Sequence, residues 1–175
     1  MKISSQEEYG LRCLLRLAAA EDGHSLTIPE IAAAEGLSAP YVAKLLAVLR
    51  QANLIESVRG RAGGYRLALP AAEVRLGAVM DVLGERLFTD PETCNRFAGT
   101  EREGNCVHLA GCTLRALWQT LEQWMRRTFD QITLADLLQS EHSMVDLLRS
   151  RLAESVLEPA AAPLIMLGSV SREEQ

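Results

Sequence analysis

The stretch "IPEIAAAEGLSAPYVAKLLAVLRQANLIESVRGRAGGYRLA", Ile28 to Ala68, decides the fold. A capping box of Thr27 with Glu30, a proline (Pro29) in the first turn and a stop at Gly36 predict a short helix. Ser38 then heads a second helix, again with a proline, Pro40, in its first turn. Val42, Leu45, Leu46 and Leu49 recur in it at the spacing of one buried face. Two short helices separated by "GLS" match the helix-turn-helix pattern, whose second helix enters the major groove of DNA. Leu54–Arg59 and Tyr65–Leu69 then read as short strands around a loop containing Gly60, Gly63 and Gly64. A helix-turn-helix followed by a glycine-tipped hairpin is the element order of a winged helix.

Away from its apolar stripe the second helix, residues 39–52, presents Lys44, Ala47 and Gln51, flanked by Tyr41 and Ala43. The hairpin carries Arg59, Arg61 and Arg66. Arginines on a narrow tip suit phosphate contacts or insertion into a minor groove. Three arginines would also solvate an ordinary surface hairpin, and it is the preceding helix pair that favours DNA. The expected DNA-contacting set is Ser38, Tyr41, Lys44, Arg59, Arg61, Gly63 and Tyr65, with double-stranded DNA as the partner.

Outside this stretch, "MKISSQEEYGLRCLLRLA" predicts a first helix, with Ser5 and Glu8 as a capping box and Leu11, Leu14, Leu15 and Ala18 as its stripe. Cys13 lies off that stripe and reads as a packed small hydrophobe. After Pro70, "EVRLGAVMDVLG" predicts a short helix ending at Gly84. A longer one runs from Thr113 to about Gln131, with Leu114, Leu117, Trp118, Leu121, Met125 and Thr128 along one face. That face suits a dimer contact, or packing on the N-terminal part. "TLADLL" and residues 141–157 read as further helix, and the last residues as a poorly ordered tail.

The 175 residues carry a net charge of −5, distributed unevenly. Residues 1–70 hold eight Lys and Arg against seven Asp and Glu, and residues 71–175 hold ten against sixteen. Indiscriminate nucleic-acid binding is disfavoured, and a local basic surface is not. No signal peptide or membrane-spanning run is evident, so a cytoplasmic location without membrane contact is expected, where disulfides are a poor default.

Three of the four cysteines nonetheless gather in "TCNRFAGTEREGNCVHLAGC", Thr93 to Cys112, spaced Cys94-x11-Cys106-x5-Cys112. Structural zinc usually shows a C-x2–4-C pair, which is missing here. Catalysis lacks an obvious base beyond His108. Three thiolates from one loop, completed by a fourth ligand, suit an iron–sulfur cluster. Spacing alone leaves cluster and zinc both open.

The chain resembles the Rrf2 family of bacterial winged-helix regulators, the IscR/NsrR/RirA group. The resemblance rests on "MKISSQEEYGLRCLLRLA", the stretch from Ile28 to Ala68, the three-cysteine loop and "ITLADLL", and it covers about residues 1–140. It implies a mostly α fold: a winged helix-turn-helix DNA-binding domain, a cysteine-rich cluster loop and a long dimerisation helix. It also implies a two-iron or four-iron cluster, the four-iron form being favoured, on Cys94, Cys106 and Cys112, and a homodimer on a palindromic operator. The interval of eleven residues exceeds the family's usual five to seven. Where IscR-like members place a histidine ligand this chain has Arg115, which stays protonated and cannot ligate iron. NsrR-like members take a carboxylate from the partner's first helix, and Glu8 stands at that position, with His108 as the rival.

The expected layout is a DNA-binding domain at 1–84, cluster loop and dimerisation helix at 85–140, and a helical extension with a tail at 141–175. The expected function is a non-enzymatic transcription regulator sensing iron, redox state or nitric oxide. "NCVHLAGCTLRALW" is similar to relatives linked with iron–sulfur assembly genes. A thiol- or zinc-based redox protein and a winged-helix adaptor are the rival readings.

Overall fold

Ser4, rather than Ser5, caps the first helix. In the computed structural model, which describes residues 3–20, 24–60, 63–84 and 112–157 (side chains through 151), α1 spans Ser5–Ala18. Ser4 Oγ accepts the Glu7 N–H at 3.2 Å, and Glu7 Oε2 accepts the Ser4 N–H at 2.7 Å. Two serines followed by two glutamates satisfy the capping pattern in either register, so the local sequence is degenerate here. A tertiary contact joins this first turn to the rest of the fold: Gln6 Nε2 donates to Leu83 O at 2.8 Å. Glu8 is therefore not part of the cap. The buried face of α1 is Gly10, Cys13, Leu14 and Leu17, whereas Leu11 and Leu15 are only partly covered.

The expected helix pair is present. α2 (Ile28–Glu35) has the Thr27–Glu30 capping box and ends at Gly36, whose φ of 66° is left-handed backbone that a side chain would strain. α3 (Ala39–Gln51) follows at 112° to α2, within the range of helix-turn-helix pairs. Val42, Leu45, Leu46 and Leu49 of α3 are buried with Leu14 and Ile31. Each such aliphatic side chain contributes about 1.5–3 kcal/mol on full burial, so this three-helix contact is the main source of stability.

The wing is shorter than the sequence predicts. β1 (Ile55–Val58) and β2 (Gly64–Leu67) pair antiparallel from Ile55↔Leu67 to Val58↔Gly64. The ladder ends where the chain turns: Gly60 has φ 107°, and the Gly63 N–H donates to Gly60 O at 3.0 Å. Leu26 adds a rung on the other side of Tyr65, exchanging hydrogen bonds of 2.9 and 2.8 Å with it.

α4 (Leu76–Leu83) packs on α1 and α3, and α5 (Thr113–Asp130) packs on α4. Asp81 accepts both hydrogen bonds from Arg126 Nη2 at 2.5 and 2.7 Å, joining α4 to α5. Beyond α5 the chain returns as a strap. Leu76 N–H donates to Ile132 O, and Leu134 N–H donates to Val74 O. The strap runs into α6 (Leu134–Leu137), whose Leu134 is fully buried. The "ITLADLL" motif thus locks the end of α5 onto the segment from Ala71 to Leu76. α7 (Glu141–Leu157) follows. The expected tail from residue 158 lies outside the described residues. Among the described residues no single helix is long and apolar enough to cross a membrane.

One ion-pair cluster ties α1 to α2. Glu35, nearly buried, accepts from Arg12 Nε at 2.8 Å and Arg16 Nε at 2.9 Å. Burial alone would raise its carboxyl pKa, but Arg16 and Arg12 override it and hold the group below its ordinary value. A depressed folded pKa gives stability that is present above the unfolded value, about 4.3, and lost as pH falls through the folded value. Glu35→Gln is expected to cost about 1 kcal/mol at pH 7, because both arginines are half exposed. Urea unfolding at pH 7 and again below pH 4 should show the gap between variant and wild type closing in acid.

Candidate DNA interface and metal-ligand residues

The buried stripe of α3 orients everything opposite it. Ala39, Pro40, Lys44, Ala47, Arg50 and Gln51 are exposed, and Ala43 is half exposed. Ser38 occupies the N-cap position but its hydroxyl makes no capping hydrogen bond, so it is available to another partner. Lys44 and Arg59 are exposed and pair with no other group among the described residues. Cations left unpaired beside an outward helix and a hairpin tip are what phosphate contacts require.

Three other expected contacts have structural duties of their own. Tyr41 packs edge-on against Tyr9 at 6.0 Å between ring centroids and leans on the core. Tyr65 also packs against the core, while its backbone bonds Leu26. A Cβ at Gly63 would lie 2.8 Å from the carbonyl oxygens of Gly60 and Val58, so close backbone packing in the turn accounts for that glycine. Arg66 is tied to Glu56 across the ladder at 2.6 Å. Arg61 lies outside the described residues.

Of the expected metal ligands, Cys94 and Cys106, with the rival His108, also lie outside them. Cys112 is the N-cap of α5, where its Sγ accepts the Arg115 N–H at 3.5 Å. It is partly exposed, and the N-terminal end of an 18-residue helix favours an anionic ligand there. Glu8 is exposed and, among the described residues, its carboxylate makes no hydrogen bond or ion pair, because Glu7 performs the capping. Cys13 is the opposite case. It is fully buried, and burial first, then the charge of Glu35, pushes its thiol up to about 11. A thiol held neutral in the core is not placed to bind a metal. Among the described residues no cluster of three or more His, Cys, Asp or Glu side chains forms a metal site by itself.

α5 is amphipathic in an inverted sense. Its polar side faces the protein: Glu122 is buried, and Arg115, Gln119 and Arg126 are half-buried. Its apolar side faces solvent, with Leu114 63%, Leu117 48%, Trp118 42%, Leu121 45% and Trp124 42% exposed. The sequence stripe ended in Met125 and Thr128, and the structure puts Trp124 there instead. The alternating steps from Leu117 to Leu121 to Trp124 carry that signal. A contiguous exposed apolar face of this kind marks an interaction surface. The sequence also gave no sign of the Gln6–Leu83 bond, which pins the residue before Gly84 to α1.

Comparison with known proteins agrees with this architecture. The family described as "Rrf2: Iron-dependent Transcriptional regulator" matches residues 3–140. The chain is 38% identical over 152 residues to the HTH-type transcriptional regulator NsrR of Geobacillus kaustophilus, covering 86% of this chain and 99% of that one. Its structure is similar to T. potens IscR, with TM-score 0.62 and 26% identity over 91% of this chain and 93% of that one. It is also similar to CymR (YrzC), described as the global cysteine regulator of B. subtilis. That match has TM-score 0.61 and 28% identity over 79% and 96% of the two chains. These relatives are regulators rather than enzymes, and the chain belongs to the Rrf2 family of winged-helix transcription regulators.

Proposed function

We propose that the protein is a homodimeric DNA-binding regulator that senses cellular state through an iron–sulfur cluster, four-iron in the favoured form. The observation that carries the reading is the arrangement of α5. Its apolar face is bare to solvent, and its N-cap is the last of the three loop cysteines. A second copy covering that face would bring the Cys112 of each chain toward the dimer seam. The donor chemistry fits: Cys94, Cys106 and Cys112 supply thiolates, and the partner subunit's Glu8, free of any capping duty, supplies a carboxylate. His108 is the alternative fourth ligand. Such a cluster, when bound, provides a centre that oxidation, nitrosylation or iron loss alters. The signal therefore lies among iron supply, cluster demand, redox stress and nitric oxide, with iron–sulfur assembly genes as the targets the loop sequence favours.

The chain's own residues then carry the change to DNA. Gln6 and Asp81 hold the two flanks of the loop: Gln6 bonds Leu83 at its start, and Asp81 bonds Arg126 on the helix at its end. α1, which Gln6 belongs to, packs directly on α3. A shift of the loop therefore moves the recognition helix through rigid, packed elements. In this division residues 1–84 bind DNA, 85–140 sense and dimerise, and 141–175 form a helical extension and tail. Ser38, Tyr41 and Lys44 contact one half of a palindromic operator in the major groove. Arg59, Arg61, Gly63 and Tyr65 bring the wing to the adjacent minor groove.

Arg59 gives the test. Arg59→Ala is expected to weaken operator binding about tenfold and to reduce the slope of log affinity against log salt by about 1 per subunit. Titrations at several salt concentrations check this, and unchanged affinity with an unchanged slope removes the wing from the interface.

A further inference from the structure

The outward face of α3 is poor in the side chains that read bases by paired hydrogen bonds. Running along the helix, that face is Pro40, Ala43, Lys44, Ala47, Arg50 and Gln51, with Val42, Leu45, Leu46 and Leu49 buried behind it. Arginine to guanine, asparagine or glutamine to adenine, and carboxylate to cytosine are the two-point pairings of the major groove. The face offers none of these until Arg50 and Gln51, at the very end of α3, about 15 Å or more along the axis from Pro40. The N-terminal part of a recognition helix is what reaches the base edges. In that part, beside the single hydroxyls of Ser38 and Tyr41, the face offers two methyl groups with one ammonium between them.

Ala43 and Ala47 are one turn apart, about 6 Å along the axis, which is close to two base-pair steps of about 3.4 Å. Neither side chain has a polar atom to satisfy, and both are short enough to let the helix backbone approach the groove floor. The apolar feature on that floor is the C5-methyl of thymine, which alanine contacts directly. We propose that Ala43 and Ala47 are specificity-determining residues that read thymine by methyl–methyl contact, so each operator half-site carries thymines two base pairs apart under α3. Lys44, between them, anchors the helix to phosphate and adds no discrimination. This inference rests on the chain being a sequence-specific DNA-binding dimer, and it adds the chemistry of the sequence that is read.

Uracil differs from thymine only by the methyl group at issue. Sites are first selected from a pool of randomised duplexes with the full-length protein, and each thymine of the recovered site is then replaced by uracil. Replacement at the two contacted positions of a half-site is expected to weaken binding about fourfold each, the worth of one buried methyl group. Elsewhere it should have no effect. Ala47→Gly should bind the thymine and uracil duplexes equally at its own position. Ala47→Ser, which keeps the helix and changes the surface, is the second variant should the glycine form lose helicity by circular dichroism. A recovered site indifferent to uracil at every thymine, or one lacking thymines at that spacing, overturns the proposal while leaving sequence-specific binding intact. A pool with no enriched sequence overturns the DNA-reading function itself, and the methyl readout with it.

Discussion

Cys112→Ala is expected to strip the protein of iron. Purified without oxygen from iron-replete cells, the wild type should be brown and contain iron and sulfide. The variant should hold less than about a tenth of that metal, since a cluster loses one of its thiolate ligands. Its fold should survive. Losing the Sγ cap at the start of α5 costs about 0.5–2 kcal/mol, small beside the buried core of α1, α2 and α3. Cys13→Ala is the matched control. Cys13 is fully enclosed and its thiol is kept protonated, so its loss should reduce stability by about 1 kcal/mol and leave the iron in place. Iron assay, visible absorption and thermal unfolding on the two variants separate a ligand from a packing residue. Equal iron in Cys112→Ala and wild type would remove Cys112 from the site.

The second large effect is on assembly. Leu121→Glu puts a carboxylate in the middle of the exposed α5 face, between Leu117, Trp118 and Trp124. In a two-fold interface the change appears twice, and each unpaired charge costs several kcal/mol to desolvate. The dimer should weaken by at least about 4 kcal/mol, roughly a thousandfold, and sediment as a monomer at micromolar concentration. Because Leu121 is solvent-exposed in the single chain, monomer folding should be unaffected. A variant that still sediments as a dimer would place the interface elsewhere.

The helix pair and wing were legible because their signals are local and redundant. Pro29, Gly36 and Pro40 punctuate the chain at the positions where α2 and α3 start and stop. Where the local signal was degenerate, the reading slipped. Ser4-Ser5 and Glu7-Glu8 offer two equivalent capping registers, and the contacts of this first turn with Leu83 and Gly84, some 77 positions away, accompany the one adopted. The stripe on α1 went astray for a similar reason. Leu17 and Cys13 face the core because α3 and α4 approach from that side, a fact of packing invisible to periodicity. On α5 the stripe itself was visible, but whether it turns inward or outward was not. The exposed Trp118 and Trp124 and the buried Glu122 answer that through tertiary structure alone. In the candidate site, Cys112 and Glu8 were named from sequence and resemblance, but that Glu8 has no capping duty emerges only once Glu7 is seen to do the capping.

One measurement bears on the whole account: native mass spectrometry of the full-length protein, prepared and sprayed without oxygen. The account predicts a species of two chains, each 19.2 kDa, carrying one iron–sulfur cluster per chain. Exposure to oxygen or nitric oxide should convert or strip the clusters. Chains from iron-replete anaerobic cells that carry no iron and sulfide, or that fly only as monomers, would contradict it.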